Sequence, residues 1–203
     1  MPDLREQLQA CLQGRVCLVG VGNADQGDDG FGVRLAESLK SEIRNPKSEA
    51  RALAPEETSS DYGLRASFGF RISDFGFEVL VAHTTPERRL ARLTDGAFDH
   101  ILFLDAVDFG GAPGSVVLLE ADEIKARFPQ ISTHRISLGL LAQLVEAGVP
   151  TKVRLLGVQP ESLKPGHRLS PAVEASLCLL RDLLLGLLEA KERLQPEGCV
   201  LPC

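Results

Sequence analysis

Three polar residues stand where predicted strands end, and their types could do chemistry together. Asp29 follows the first apolar run at the entry to a helix, Asp105 closes the run Ile101-Leu102-Phe103-Leu104, and His134 sits just before a helix that starts near Ile136. When strands run parallel, their carboxyl ends share one edge of the sheet, and ligand sites form there where the chain connections change direction. Two carboxylates and an imidazole at that edge make a divalent-metal site with open positions, a donor set that suits nickel or zinc. Each residue alone has a simpler reading. Asp29, with Asp28, fits a helix cap that complements the helix dipole. His134 fits a surface histidine in Ser132-Thr133-His134, with Ser132 or Thr133 capping the next helix. Asp105 fits a turn cap that accepts from backbone amides, but a carboxylate ending so apolar a run is costly unless partnered, so a functional role stands level with the cap. The metal reading rests on the three together.

The elements that must position them follow from hydrophobic patterning. Arg15–Val21, Phe77–Ala82, Ile101–Asp105, Ser115–Leu119 and Lys152–Val158 are apolar, β-branched runs that predict strands. Helices are predicted over Asp3–Leu12, Gly30–Ile43, Pro86–Leu93 with proline at its start, Ile136–Ala147 stopped by Gly148, and Pro171–Leu194 with Ser170 as N-cap. Alternating strands and helices predict an α/β sandwich with a mostly parallel sheet. The short link from the third strand to the fourth predicts a hairpin, and so one antiparallel strand. Residues 41–74 form a long polar stretch that fits no element, and it is read as a flexible insertion in a single domain spanning residues 1–203. The alternative is a lid or partner-binding loop. Residues 195–203 read as a frayed tail.

The bulk properties exclude several function classes. A formal net charge of -6 and the absence of Trp argue against a nucleic-acid surface. The N-terminus lacks the apolar run of a signal peptide. Leu177–Leu188 is interrupted by Arg181 and Asp182 and is too short to span a bilayer, which predicts a core helix and no membrane insertion. The 5 cysteines are scattered and form no C-x-x-C pair, as expected of reduced thiols in a cytoplasmic protein. The loop Gly20–Gly30 suggests a phosphate cradle, but its spacing is not G-x-G-x-x-G, and Asp28 and Asp29 put negative charge where a pyrophosphate would sit. No G-x-S-x-G motif occurs, and no cysteine lies beside a candidate base.

Four blocks in order then resemble one family. Gly20-Val21-Gly22-Asn23 followed by Gly27-Asp28-Asp29-Gly30-Phe31-Gly32 is similar to the G-x-G-N-x-x-x-x-D-D-G-x-G signature of the hydrogenase maturation endopeptidases. Leu104-Asp105-Ala106-Val107-Asp108, Thr133-His134-Arg135-Ile136-Ser137-Leu138 and Leu156-Gly157-Val158-Gln159-Pro160-Glu161 match in the same order, as does the helix start at Leu169-Ser170-Pro171. The resemblance implies a three-layer α/β/α sandwich around a mixed, mostly parallel five-stranded sheet. It implies an endopeptidase that removes a C-terminal extension from the nickel-loaded large-subunit precursor of a [NiFe] hydrogenase. The nickel would arrive on the precursor, and the enzyme would act as a cytoplasmic monomer. The family's metal-contacting positions carry over to Asp29, where many members have Glu, and to Asp105 and His134. His83 stands where many relatives carry glycine. It is either an extra contact at the same edge or a surface turn histidine. His100 and His167 carry no motif. Two other classes stay open at this point: a non-hydrolytic nickel- or precursor-binding chaperone, and a nucleotide-binding α/β protein.

Overall fold

A computed structural model describes residues 3–44, 76–127 and 137–194. A five-stranded sheet runs through its middle in the order β2-β1-β3-β5-β4. The strands are β1 Val16–Val21, β2 Phe77–His83, β3 His100–Ala106, β4 Val116–Glu120 and β5 Lys152–Val158. β1 pairs in parallel with β2 and β3, and β3 pairs in parallel with β5. Only β4 runs antiparallel, against β5. The helices are α1 Leu4–Cys11, α2 Phe31–Arg44, α3 Leu90–Asp95, α4 Ala121–Arg127, α5 Leu138–Gly148 and α6 Pro171–Leu194.

Strand sequences explain the layering. Successive side chains of a strand point to opposite faces, and in β1 Val16 and Leu18 join one core while Cys17, Val19 and Val21 join the other. The first core is closed by α1, α2 and α6 through Leu8, Leu35, Leu39 and Leu184. The second is closed by α3, α4 and α5 through Leu93, Ile124, Leu141 and Val145. All six residues of β1 are buried, which is why the run shows no polar alternation. The expected α/β/α sandwich with a mixed, mostly parallel sheet is the observed one.

Chain direction then picks out one place on the edge. From β1 the chain crosses to β2 on one side, and from β3 it proceeds to β4 and then β5 on the other. The carboxyl ends of β1 and β3 therefore flank the topological switch point, where open α/β sheets form crevices.

Several expectations need correction. β4 is antiparallel as expected, but it does not form a hairpin with β3. β5 lies between them, and Val116 pairs with Val158. A short link constrains where the next strand starts, not which neighbour it takes. Residues 41–44 belong to α2 rather than to the insertion, and the rest of that segment, residues 45–74, lies outside the described residues, as does the tail 195–203. α5 is capped by Ser137, whose hydroxyl accepts from the Leu140 amide, and not by Ser132 or Thr133. The Ser170 hydroxyl makes no bond to the amides of α6. α4 was not anticipated, since its pattern is short and polar. The early helix is delimited by a capping box: the Asp3 carboxylate accepts from the Glu6 amide, and the Glu6 side chain accepts from the Asp3 amide.

α2 lies unusually close to the sheet. A Cβ added at Gly32 would stand 1.9 Å from the Leu104 carbonyl oxygen and 2.5 Å from that of Val21. Only a hydrogen fits there. Gly32→Ala is therefore expected to push α2 off β1 and β3 and to cost about 3 kcal/mol. Gly148→Ala, where an added Cβ meets nothing within 4 Å, is expected to be neutral or to stabilise by up to about 1 kcal/mol. Urea denaturation of the two variants checks this, and equal midpoints would refute the close-packing account.

Candidate active site

The first acid is placed by a tightly wound loop. β1 ends at Val21, and Gly22 follows with φ +121°, where an added Cβ would lie 1.9 Å from the Asp29 carbonyl oxygen. That backbone conformation and that contact both require glycine. The Asn23 side chain accepts from the Asp25 amide at 3.1 Å, closing an Asx turn. The chain then makes a buried helical turn over Gly27–Gly30 that delivers Asp29 to the strand ends. Its Oδ2 accepts from the Asn23 amide at 2.7 Å.

The second acid is placed by the sheet itself. Asp105 is the penultimate residue of β3, and its Oδ1 accepts from the neighbouring Ala106 amide at 2.9 Å. The same Gly22 borders both acids, since its added Cβ would also come within 3.6 Å of Asp105 Oδ1. Asp29 is 8% exposed and Asp105 6%. Burial, and then the negative charge of Asp29, hold the Asp105 carboxyl well above the usual carboxylate range, against the opposing pull of the Ala106 amide. Two acids in this relation do not both ionise freely. A carboxyl raised in this way can carry a proton, which suits acid–base work.

Asp28 behaves in the opposite way. It is 1% exposed, yet its carboxylate accepts three backbone amides: Glu161 at 2.8 Å, Ser162 at 3.0 Å and Ser170 at 2.6 Å. Burial pushes this carboxyl up, but the amides of Ser170, Ser162 and Glu161 outweigh it and leave it below the ordinary range. Asp28 therefore straps the β1–α2 loop to the β5–α6 loop. The strap continues in the backbone, with Gly27 N–H donating to Gly166 at 2.7 Å, Asp28 N–H to Ser162 at 3.1 Å and Gly166 N–H to Asp25 at 2.9 Å. The Arg34 guanidinium donates to the carbonyls of Ala24 and His167. Sequence reasoning gave Asp28 no role beyond a cap. The available signal was a second acid beside Asp29 in an apolar, glycine-rich loop, which needs donors from somewhere. Because the loop amides at Gly27, Asp28 and Asp29 already donate to carbonyls, the loop is not a phosphate cradle.

The remaining candidates separate. His134 lies outside the described residues. His83 ends β2 as an exposed residue with φ +51°, and its carbonyl accepts from Gly22 N–H at 3.1 Å. That left-handed backbone is one that glycine adopts more readily than histidine. His167 Nδ1 lies 3.1 Å from Asp25 Oδ1 at the surface. His100 sits at the far end of β3 beside Arg154. Among the described residues no group of three or more His, Cys, Asp or Glu side chains is placed to hold a metal. Cys11 and Cys17 are buried, and burial pushes both thiols up, so neither is a ready nucleophile. None of the described helices is long and apolar enough to cross a membrane.

Fold and site together define a three-layer α/β protein with paired acids at its switch point. Comparison with known proteins carries this to a family. Residues 71–186 match the family model for hydrogenase maturation protease. The chain is 32% identical over 167 residues to the hydrogenase 2 maturation protease of Escherichia coli, covering 80% of this chain and 84% of that one. Among solved structures, it superposes on the hydrogenase maturating endopeptidase HybD from E. coli with a TM-score of 0.59 and 27% identity, over 88% of this chain and 93% of that one. The HycI hydrogenase maturation protease of Thermococcus kodakarensis shares the fold, with a TM-score of 0.67 at 23% identity over 90% of this chain and 99% of that one. The chain belongs to the hydrogenase maturation protease family. These relatives are named as proteases, which favours hydrolysis over the chaperone alternative.

Asp28 and Asp105 give opposite predictions. Asp28→Asn puts an amide donor against backbone donors in either orientation, and is expected to cost about 2–3 kcal/mol. The Asp28 carboxyl is lowered in the folded state, so its stabilisation is present above the ordinary carboxylate pKa of about 3.9 and is lost as pH falls through the folded value. Asp105 is raised in the folded state, so its penalty grows as pH rises above the ordinary value. Asp105→Asn is therefore expected to be more stable than wild type at pH 7, with the advantage shrinking toward pH 4. Denaturation midpoints across this range test both signs, and a destabilised Asp105→Asn at pH 7 would contradict the assignment.

Proposed function

We propose that this protein removes a C-terminal extension from the large-subunit precursor of a [NiFe] hydrogenase, and that nickel already bound to the precursor is the signal for cleavage. The observation that carries the proposal is the buried Asp29–Asp105 pair at the switch point. Two buried acids, the charge of one raising the carboxyl of the other, favour an incoming positive charge. His134, in the Thr133-His134-Arg135 block, is assigned as the third contact. In this reading the three side chains engage a nickel ion held by the precursor, which brings the adjacent peptide bond to the sheet edge. Nickel is then part of the substrate rather than a resident cofactor. Polarisation of the scissile carbonyl or activation of a water supplies the hydrolytic step, and the Asp29–Asp105 pair accepts or holds the proton. The protein acts as a cytoplasmic monomer, with no nucleic acid and no membrane insertion in its cycle.

The test follows the precursor's mass after mixing with purified protein. Nickel-loaded precursor should lose a short C-terminal peptide, and nickel-free precursor should not. His134→Ala and Asp29→Asn should slow processing by at least about 100-fold while remaining folded. Binding of both precursor forms without any change in mass would replace the protease reading with the chaperone one.

A further inference from the structure

Immediately after Asp105 the chain leaves the sheet as a loop, residues 107–115, before β4 begins. Its ends are held by backbone bonds: Val107 N–H donates to Val158 at 2.9 Å, Gly114 N–H to Gln159 at 2.9 Å, and Gln159 N–H to Ser115 at 2.8 Å. Its centre is held by one side chain from the end of β5, the strand that lies between β3 and β4. Gln159, 7% exposed and the first residue after β5, accepts through Oε1 from the amides of Phe109 at 2.9 Å and Gly111 at 3.1 Å. Its Nε2 donates to Asp108 Oδ1 at 3.0 Å and to the Pro160 carbonyl at 3.4 Å. Asp108 Oδ1 also accepts from the Gly110 amide at 3.1 Å. A primary amide offers two acceptor and two donor positions, and all four are used here. The outer side of the loop is open. Asp108 and Gly110 are exposed, and a Cβ added at Gly110 would meet nothing within 4 Å.

We infer that Gln159 is a positioning residue that shapes the Asp108–Gly111 loop into the rim against which the substrate segment lies when its scissile bond reaches Asp105. The inference rests on the proposed function above. A loop with two glycines, Gly110 and Gly111, and no regular backbone pairing at its centre has many alternative shapes. The buried amide selects one by satisfying two amides and a carboxylate together, without touching the reacting atoms itself. Loss of that selection lowers the fraction of enzyme able to receive substrate. It leaves the acids, and so the chemical step, as they were.

The test measures KM and kcat separately on nickel-loaded precursor. Gln159→Glu replaces the donor toward Asp108 with a second negative charge. KM is expected to rise about 10-fold, which corresponds to about 1.4 kcal/mol, with kcat within about threefold of wild type. Adding Asp108→Asn removes the second negative charge and offers the new carboxylate a donor, at the expense of the acceptor for the Gly110 amide, so KM should fall at least about threefold back toward wild type. A purely structural role would appear in the denaturation midpoint and would not give a KM that rises and is rescued. Should Gln159→Glu not fold, the uncharged Gln159→Met is expected to raise KM in the same way. An unchanged KM in a folded Gln159 variant, or a double variant with no recovery, overturns the inference and leaves the proposed function standing. Asp105→Asn run in parallel separates the two: normal processing by that variant removes the proposed function and this inference with it.

Discussion

Two carboxylates at the end of an apolar sheet are held beside each other by packing that leaves them little room to separate. Asp105 is carried there by β3, whose preceding residues Ile101–Leu104 are fully covered on both faces. Asp29 is carried there by a loop wound so closely that Gly22 has no space for a side chain, and by a helix that approaches the sheet through Gly20 and Gly32. An added Cβ at Gly20 would stand 2.4 Å from the Gly32 carbonyl oxygen. Burial and mutual repulsion work against this arrangement. The surrounding core must supply the difference, and both apolar layers converge on β1 and β3. Stability and function therefore pull in opposite directions at Asp105, as they commonly do at sites kept in a strained or unsatisfied state.

Neighbouring acids of one loop show how environment, not residue type, assigns the role. Asp28 and Asp29 are adjacent and both buried. Asp28 turns toward the β5–α6 loop and meets three backbone amides, so its charge is welcome and structural. Asp29 turns toward the strand ends, where its neighbour Asp105 is another acid. The first straps two loops into one rigid edge, and the second uses that edge. Gln159 extends the same logic to the β3–β4 loop, since it too is a buried polar group with its bonds satisfied.

The sequence made the layered architecture and the two acids legible because both depend on short-range patterns. Buried parallel strands read as unbroken apolar runs, and an acid that closes such a run stands out. The partner choice of β4 was not legible, because insertion of β5 between β3 and β4 is decided by contacts between segments distant in the chain. The role of Asp28 was hidden for the same reason, as its amide partners lie 133 to 142 residues away. The cap of α5 was misplaced because Ser132, Thr133 and Ser137 are chemically alike, and the helix starts where Leu138 can first reach the core. His134 lies outside the described residues.

The account depends on Asp29 and Asp105 sensing each other's charge. The most direct measurement is a pH titration of the side-chain carboxyl carbons by NMR, in wild type and in Asp29→Asn. The account predicts that the Asp105 carboxyl titrates well above the ordinary carboxylate range in wild type and moves down when Asp29 is neutralised. An Asp105 carboxyl that titrates in the ordinary range, and ignores the change at Asp29, would contradict it.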